Sequence, residues 1–476
     1  MTIRTAQPFF ALALSLLVLP VNAARAGIAP GPAAELQRRL ADQERKVAEQ
    51  QKQLDEQKKE LDELRKLISQ LKPPAPAKPG APTPTHKDLF RNGFNMKIYG
   101  YLRGDFEADT QRMNFDPQLP FFVLSPQMAP AAGAAAVTTG GLKQGDSTFH
   151  TRLTRVGFDV TAPASSFLGG WKPTAKLETD FFNAFTTGAP TRDLVSNSRS
   201  ALRIRHAYVR AQRGDWHVLA GQTWDVISPI FPSLNFDTVM WNAGNTADRR
   251  PQLRVGYEPK AGRGKWSLVG AVGSTGAVDN ADLDANGLRD GEQAGMPTFQ
   301  ARAGYSRPSW VKSQDWTLGV YGHAARHRFA GARVAGRDDY DSNLVGLDAV
   351  MPLTNKLKLQ GEAWHGSALS DVRGGIGQSL NAATGQTISA SGGWAELSWK
   401  AAPFYTINFG GTIDTPRASH VPVFGRTQNS TLYLTNRFTL GSGLEAGIDL
   451  AHWQTRYNAL AKGVNNRLTM YLQHNF

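Results

Sequence analysis

The amino-acid sequence predicts an all-β protein: a 16-stranded antiparallel transmembrane β-barrel with an N-terminal coiled-coil helix. Three features carry that reading. Residues 87–476 alternate apolar and polar side chains in segment after segment, the connections between those segments are alternately long and short, and the chain opens with an export signal. Composition removes the competing classes. A polytopic helical protein would repeat apolar runs of about 20 residues, and only one run, near the N-terminus, comes close. With no cysteine, disulfide scaffolds, thiolate metal sites and cysteine nucleophiles are excluded. The 11 Trp, 11 Tyr and 23 Phe offer too much apolar area for a disordered chain.

The first element, residues 1–26, is an address. Arg4 gives a positive start, Phe9 to Leu19 an apolar core, and Ala24-Arg25-Ala26 a small-x-small cleavage site after Ala26, the pattern of a Sec-type signal peptide. The mature chain is therefore expected outside the cytoplasm, where it has no disulfides to hold it.

Residues 27–71 hold the second element. Leu40, Val47, Leu54, Leu61 and Ile68 recur every seven residues, and Leu36, Gln43, Gln50, Gln57, Leu64 and Leu71 fill the intervening seam positions. This is a coiled-coil oligomerisation segment of about 54 Å. Arg39 with Glu44 and Glu60 with Arg65 are placed to pair across neighbouring helices, and the three seam glutamines set register at some cost in stability. Core composition leaves the number of strands open, and a lone solvated helix is the alternative. Residues 72–86, with six prolines in fifteen positions, form a semi-rigid spacer in polyproline II geometry.

The barrel itself is read from period-two alternation. Ile98, Gly100, Leu102, Gly104 and Phe106 share one face, and Tyr99, Tyr101, Arg103, Asp105 and Glu107 the other. Ala175, Leu177 and Phe181 oppose Lys176, Glu178 and Asp180; Leu202 and Ile204 oppose Arg203 and Arg205; Leu253 and Val255 oppose Gln252 and Arg254. The last strand sets Leu468, Met470, Leu472 and Phe476 against Arg467, Thr469, Tyr471, Gln473 and Asn475. The strands fall near 95–109, 147–161, 172–182, 200–212, 215–224, 249–258, 265–274, 297–306, 314–327, 340–351, 355–366, 390–400, 403–413, 429–438, 442–453 and 465–476. Long connections at 110–146, 183–199, 225–248, 275–296 and 367–389 alternate with tight ones such as Gln212-Arg213-Gly214-Asp215, as in outer-membrane barrels. A barrel of this size encloses a water-filled lumen, so apolar residues are expected to face lipid and charged ones the pore. Histidines 206 and 474 fall on lipid-side phases.

The stretches Leu202-Arg203-Ile204-Arg205-His206-Ala207-Tyr208, Leu219-Ala220-Gly221-Gln222-Thr223-Trp224 and Arg250-Pro251-Gln252-Leu253-Arg254 resemble the DcaP-like trimeric outer-membrane porin family of Gram-negative bacteria. The likeness covers nearly the whole mature chain. It implies a homotrimer in the outer membrane with the coil in the periplasm, passive uptake of dicarboxylates and related small anions, and a third external loop folded inward. Here that loop is Asp225 to Ala247, with Phe231, Pro232, Phe236, Asp237 and Trp241; its apolar content suits a tucked loop, while packing at a trimer contact is the alternative. Phosphate-selective porins share the coil, the linker and the barrel size, and remain an alternative reading. A structural tether between outer membrane and periplasm, with the coil touching the cell wall, is a further one.

From residue 87 onward 28 Arg and 12 Lys face 31 acidic residues. The planar guanidinium fork suits carboxylate and phosphate, and basic rings favour anions in pores. Arg103, Arg155, Arg203, Arg205 and Arg254 lie on wet faces with Tyr101 beside them, and Arg152 and Arg250 are less certain in phase. At about 4 Å and an effective dielectric near 20, one such charge attracts an anion by roughly 4 kcal/mol. The competing expectation is that these arginines pair with Asp105, Glu107, Asp159, Glu178 and Asp180 and simply brace the wall.

Asp282, Asp284, Asn286 and Gly287 match the opening of a calcium loop, but its twelfth position is Gln293 and no flanking helices are evident, so a solvated acidic loop competes with Ca²⁺ binding. No other cofactor is indicated. Metalloprotease, nucleophile-elbow, P-loop and dinucleotide patterns are absent from the sequence, which argues against an enzyme. Export and dispersed arginines argue against nucleic acid as the partner of a basic chain.

Overall fold

The structure is a computed structural model. It describes residues 94–115, 119–128, 137–138, 144–163, 169–181, 202–234, 238–276, 296–328 and 336–476, with nine isolated positions between Glu44 and Asp62 that are helical and exposed. The chain divides into two units, Met1–Pro84 and Thr85–Phe476. The signal peptide with Ala26, the seam of the coiled coil and the Pro-rich linker lie outside the described residues.

The second unit is a closed antiparallel sheet. Its strands are β1 Asn95–Asp109, β2 Asp146–His150 continuing as Arg155–Thr161, β3 Lys172–Asp180, β4 Arg203–Arg213, β5 Trp216–Trp224 and β6 Arg249–Tyr257. They continue with β7 Gly264–Gly273, β8 Thr298–Pro308, β9 Asp315–Arg328, β10 Asp339–Pro352, β11 Leu357–Ser367 and β12 Ser389–Ala402. The last four are β13 Tyr405–Pro416, β14 Arg426–Gly441, β15 Leu444–Tyr457 and β16 Gly463–Asn475. The sheet has 18 hydrogen-bonded segments; joining the two halves of β2 and treating Lys260–Ala261 as the tail of β6 leaves 16 strands, the expected number. Strand β1 closes the cylinder by pairing with β16, from Tyr101 opposite Asn475 to Asp109 opposite Arg467, and with both halves of β2. Closure leaves no open edge, which is what hydrocarbon demands of a sheet.

Alternation reads out as expected. Leu102 is 61% exposed while Arg103 is 6% exposed, and the same contrast separates Leu253 from Gln252 and Leu472 from Arg467. At the tight-turn ends the outer face carries a band of rings: Trp216 stacks on Tyr257 at 4.4 Å, Trp266 packs on Tyr305 at 4.9 Å, and Tyr405 lies parallel to Phe438 at 4.8 Å. Such a belt suits a membrane–water boundary.

Three departures from the simple pattern matter for the lumen. The strand expected at 147–161 is interrupted at residues 151–154, so Arg152 leaves the ladder. A bulge shifts the pairing of β3 with β4 between Glu178 opposite His206 and Thr179 opposite Ile204. The extra residue is Arg205, and because one inserted residue exchanges the faces, Arg205 and His206 both point inward. His206 therefore does not face lipid; its Nδ1 is 2.9 Å from Thr223 Oγ1 on the lumen side. His474 stays outside as expected. Finally, the inner faces of β9 to β15 carry buried rings, among them Tyr321, Trp364, Trp394, Tyr433 and Trp453, where lumen-facing positions were expected to be polar.

Those rings are covered by connections that fold into the barrel. Met113 and Val123, from a hairpin in the first long connection, cluster with Met240, Tyr433 and Trp453; Ile227 and Ala247 cluster with Trp364, Leu369 and Val372. The packed core of this molecule is thus inside the cylinder, on one side of it.

On this arrangement Leu253→Lys, at the centre of the outer face of β6, is expected to cost about 2–4 kcal/mol, whereas Arg254→Lys, one residue away on the inner face, should be tolerated. Urea unfolding in lipid vesicles followed by Trp fluorescence checks both.

Candidate functional site

The lumen has two unlike walls. The first, from β16 through β1 to β6, is charged. On it Arg103 Nε donates to Asp105 at 3.0 and 2.9 Å, and its guanidinium lies 3.8 Å over the ring of Tyr471. Arg152, in the break of β2, donates to Glu107 at 3.2 Å, and Arg467 pairs with Glu107 and, at 2.9 Å, with Asp109. Three guanidiniums here match three carboxylates.

The neighbouring lane is not balanced. Arg203 donates to Asp180 at 2.9 and 2.6 Å; Arg205, on the same inward phase, donates to Glu178 at 2.6 Å and to Asp180 at 2.8 Å. Arg155 approaches Glu178 at 3.5 Å and lies 5.2 Å over the ring of Tyr101. Tyr99 donates to Glu178 at 2.8 Å and accepts from Lys176, which also pairs with Asp159 at 2.9 Å. Arg249 lies within the field of Arg203 and Arg205. Among the described residues, Arg155, Arg203, Arg205 and Arg249 therefore face Glu178 and Asp180, a surplus of two positive charges. Arg254 adds a third, since it donates to Gln252 at 3.1 and 2.9 Å and to the Trp224 carbonyl, with no carboxylate bonded to it among the described residues.

The second wall is built by the segment 225–248. Ser228 Oγ donates to Glu362, the Ile230 amide to the same carboxylate at 3.2 Å, and the Ser233 amide and hydroxyl to Glu396 at 2.7 and 2.6 Å. Trp364 Nε1 donates to the Gly244 carbonyl at 2.7 Å, and Asn429 Nδ2 to that of Asn242 at 2.8 Å. Gly244 sits at φ +119°, and a Cβ there would stand 2.4 Å from the Gly393 carbonyl, so only glycine lets the segment lie this close to β12. The loop thus hangs from β11, β12 and β14, across the barrel from β4. Its inner edge carries Trp224, Phe231 and Trp241, with ring centres 4.7 and 6.0 Å from Trp224.

A second connection, residues 368–388, locks the first. The Asn242 amide donates to the Arg373 carbonyl and the Ala247 amide to that of Val372, at 2.8 and 2.9 Å. Arg373 pairs with Asp248 at 2.5 Å. Burial alone would raise the Asp248 carboxyl, but Arg373 and Arg249 hold it below the ordinary carboxylate range. Arg250 joins both loops: it donates to Asp225 at 2.6 and 3.0 Å and to the Asp371 carbonyl at 3.1 Å, and stands 3.6 Å from the Asp371 carboxylate. His323 and His327 approach that carboxylate at 3.7 and 3.6 Å. Burial opposes its ionisation, yet His327, His323 and Arg250 hold its pKa low.

The sequence-predicted residues are thus split. Arg155, Arg203, Arg205, Arg254 and Tyr101 stand on the unbalanced lane, Arg103 and Arg152 on the balanced one, and Arg250 leaves the pore wall to join the loops with Asp225. Phe231 and Trp241 lie on the inward loop; Phe236 and Asp237 lie outside the described residues, as do Asp282, Asp284 and Asn286. Among the described residues no group of three His, Asp or Glu is placed to hold a metal. Sequence reasoning missed Arg249 and Arg373. Arg249 is adjacent to Arg250, and a strict alternation admits only one of two neighbours to the lumen, whereas both enter at the point where the chain leaves the inward loop.

No protein-family model and no curated protein sequence matches the chain. Solved structures do. The outer membrane channel DcaP of Acinetobacter baumannii aligns with a TM-score of 0.62 at 15% identity, over 80% of this chain and 97% of that one. The anion-selective porin from Comamonas acidovorans aligns with a TM-score of 0.50 at 13% identity, over 80% of this chain and 100% of that one. The shared property at these identities is the fold, a 16-stranded barrel.

Because Arg250→Ala leaves Asp225 and Asp371 buried beside a lost partner, it is expected to destabilise the barrel by about 3–5 kcal/mol. Thermal unfolding followed by the gel-mobility shift of the closed barrel measures this, and limited proteolysis should cut 225–248 and 368–388 faster than in the parent.

Proposed function

We propose that the chain is a non-enzymatic outer-membrane porin for small anions, dicarboxylates among them, which pass along the arginine wall of β2 to β6. The observation that carries this reading is the surplus of guanidinium over carboxylate on the one wall left open by the inward loop. In a narrowed, partly desolvated passage such a surplus attracts anions and repels cations more strongly than in bulk water. The carboxylates do not cancel it; they hold the guanidiniums in fixed positions, so no side-chain ordering is needed when a solute arrives. Similarity of fold to a channel and to an anion-selective porin supports the reading. Assembly as a homotrimer, with the heptad segment in the periplasm, fits the heptads and completes the proposal.

Planar-bilayer recordings in a KCl gradient test it: the reversal potential should lie toward that of Cl⁻, and a potential toward K⁺ would reject the anion reading. Arg203→Ala with Arg205→Ala leaves Glu178 and Asp180 facing the lumen with their main partners gone, so selectivity is expected to move toward cations. Unchanged selectivity would remove both residues from the pathway. A swelling assay with succinate and phosphate separates dicarboxylate from phosphate preference, and absence of any flux would favour a tether.

A further inference from the structure

The guanidinium of Arg249, like that of Arg254, bonds no carboxylate among the described residues, but it is held differently. Arg103, Arg155, Arg203, Arg205, Arg250 and Arg373 each have a carboxylate within 3.5 Å. Arg249 has none, and its contacts are with rings: its Cζ lies 4.1 Å over Trp224 and 5.8 Å over Trp241. Its Nη1 is buried without a hydrogen-bond partner among the described residues, and so is Nε1 of Trp241, a side chain only 1% exposed. Two buried donors, the cationic one with its Cζ 5.8 Å from the ring centre of the other, form a site whose missing member is an acceptor. Leaving such donors unmatched is costly, and no described residue offers an acceptor to either. The residue as a whole is nevertheless not sealed off, since Arg249 and Trp224 are only partly buried.

We propose that Arg249 Nη1 and Trp241 Nε1 form a carboxylate-binding subsite where the chain leaves the inward loop for β6, and that a permeating solute pauses there. This deepens the anion-channel reading and rests on it. The chemistry favours a carboxylate. Its two coplanar oxygens can accept from two separate N–H groups, and its charge suits a guanidinium that has no carboxylate of its own. A dianionic phosphate would bring a second charge toward Asp248, whose carboxylate lies in the field of Arg249. The guanidinium lies against the rings of Trp224 and Trp241, and cation–π contact stabilises it without consuming its in-plane donors. A dicarboxylate can then place one end here while Arg203 and Arg205 face the other.

The test is block of chloride current through single reconstituted channels, titrated with succinate and with inorganic phosphate. Trp241→Phe removes one N–H and no charge; its succinate block should weaken roughly fivefold, with the reversal potential in KCl unchanged. Arg249→Gln should weaken it by about tenfold or more, and Arg249→Lys should restore only part of the loss because a point charge lacks the planar fork. Closed-barrel gel mobility confirms that each variant has folded. Parental block in both Trp241→Phe and Arg249→Gln, or tighter block by phosphate than by succinate, overturns the subsite while leaving anion selectivity standing. A wild-type channel that prefers K⁺ would instead overturn the reading on which the subsite rests.

Discussion

Hydrocarbon offers no partner for a backbone N–H or C=O, and this single constraint organises the molecule. A sheet can satisfy it only by closing, as β1 does on β16 and β2. Closure then divides every strand into two faces with opposite demands. Lipid requires the outer face to be apolar, which Leu102, Leu253 and Leu472 satisfy. The inner face is freed from that requirement and can carry arginines and carboxylates at a density that a packed core would not accept.

A 16-stranded cylinder is too wide for its side chains to fill, and the inward loops resolve this unevenly. They cover the rings of β9 to β15 and leave the charged wall bare. The attachment is itself electrostatic: Glu362 and Glu396 hold the first loop, and Asp248, Arg250, Asp371 and Arg373 hold the second to the first. Charges therefore serve twice, once to fix loops against one wall and once to set the potential along the other. The difference between the roles lies in balance. Where guanidiniums match carboxylates the pairs brace structure, and where they exceed them a field remains for a solute.

Much of this was readable from alternation. Sixteen strands, the outward and inward phases of β1, β3, β6 and β16, and the lumenal placement of Arg103, Arg203, Arg205 and Arg254 follow from a period of two with no further information. What escaped has physical causes. One bulge at Arg205 turned His206 inward, and a local insertion leaves no trace in a pattern that is itself only two residues long. Trp364, Trp394 and Trp453 break the general expectation that apolar side chains face lipid; they are inside because loops bury them, a tertiary contact no local pattern reports. The role of 368–388 depends on where two connections meet in space, and the pairing of Arg155, Arg203 and Arg205 with Glu178 and Asp180 on where β2, β3 and β4 align. Sequence reasoning named these partners but could not choose between pairing and solute binding, and the structure contains both pairing and a surplus.

Which side of the wall each residue faces decides what lines the lumen, and β4 beyond the bulge is where that facing departs from simple alternation. The chain has no cysteine, so single Tyr208→Cys and Val209→Cys channels can be treated in bilayers with a charged, membrane-impermeant thiol reagent while current is recorded. Modification of Tyr208→Cys with a stepwise drop in conductance, and an inert Val209→Cys, is the predicted result. The reverse, a reactive Val209→Cys beside a silent Tyr208→Cys, would contradict the lumen as described.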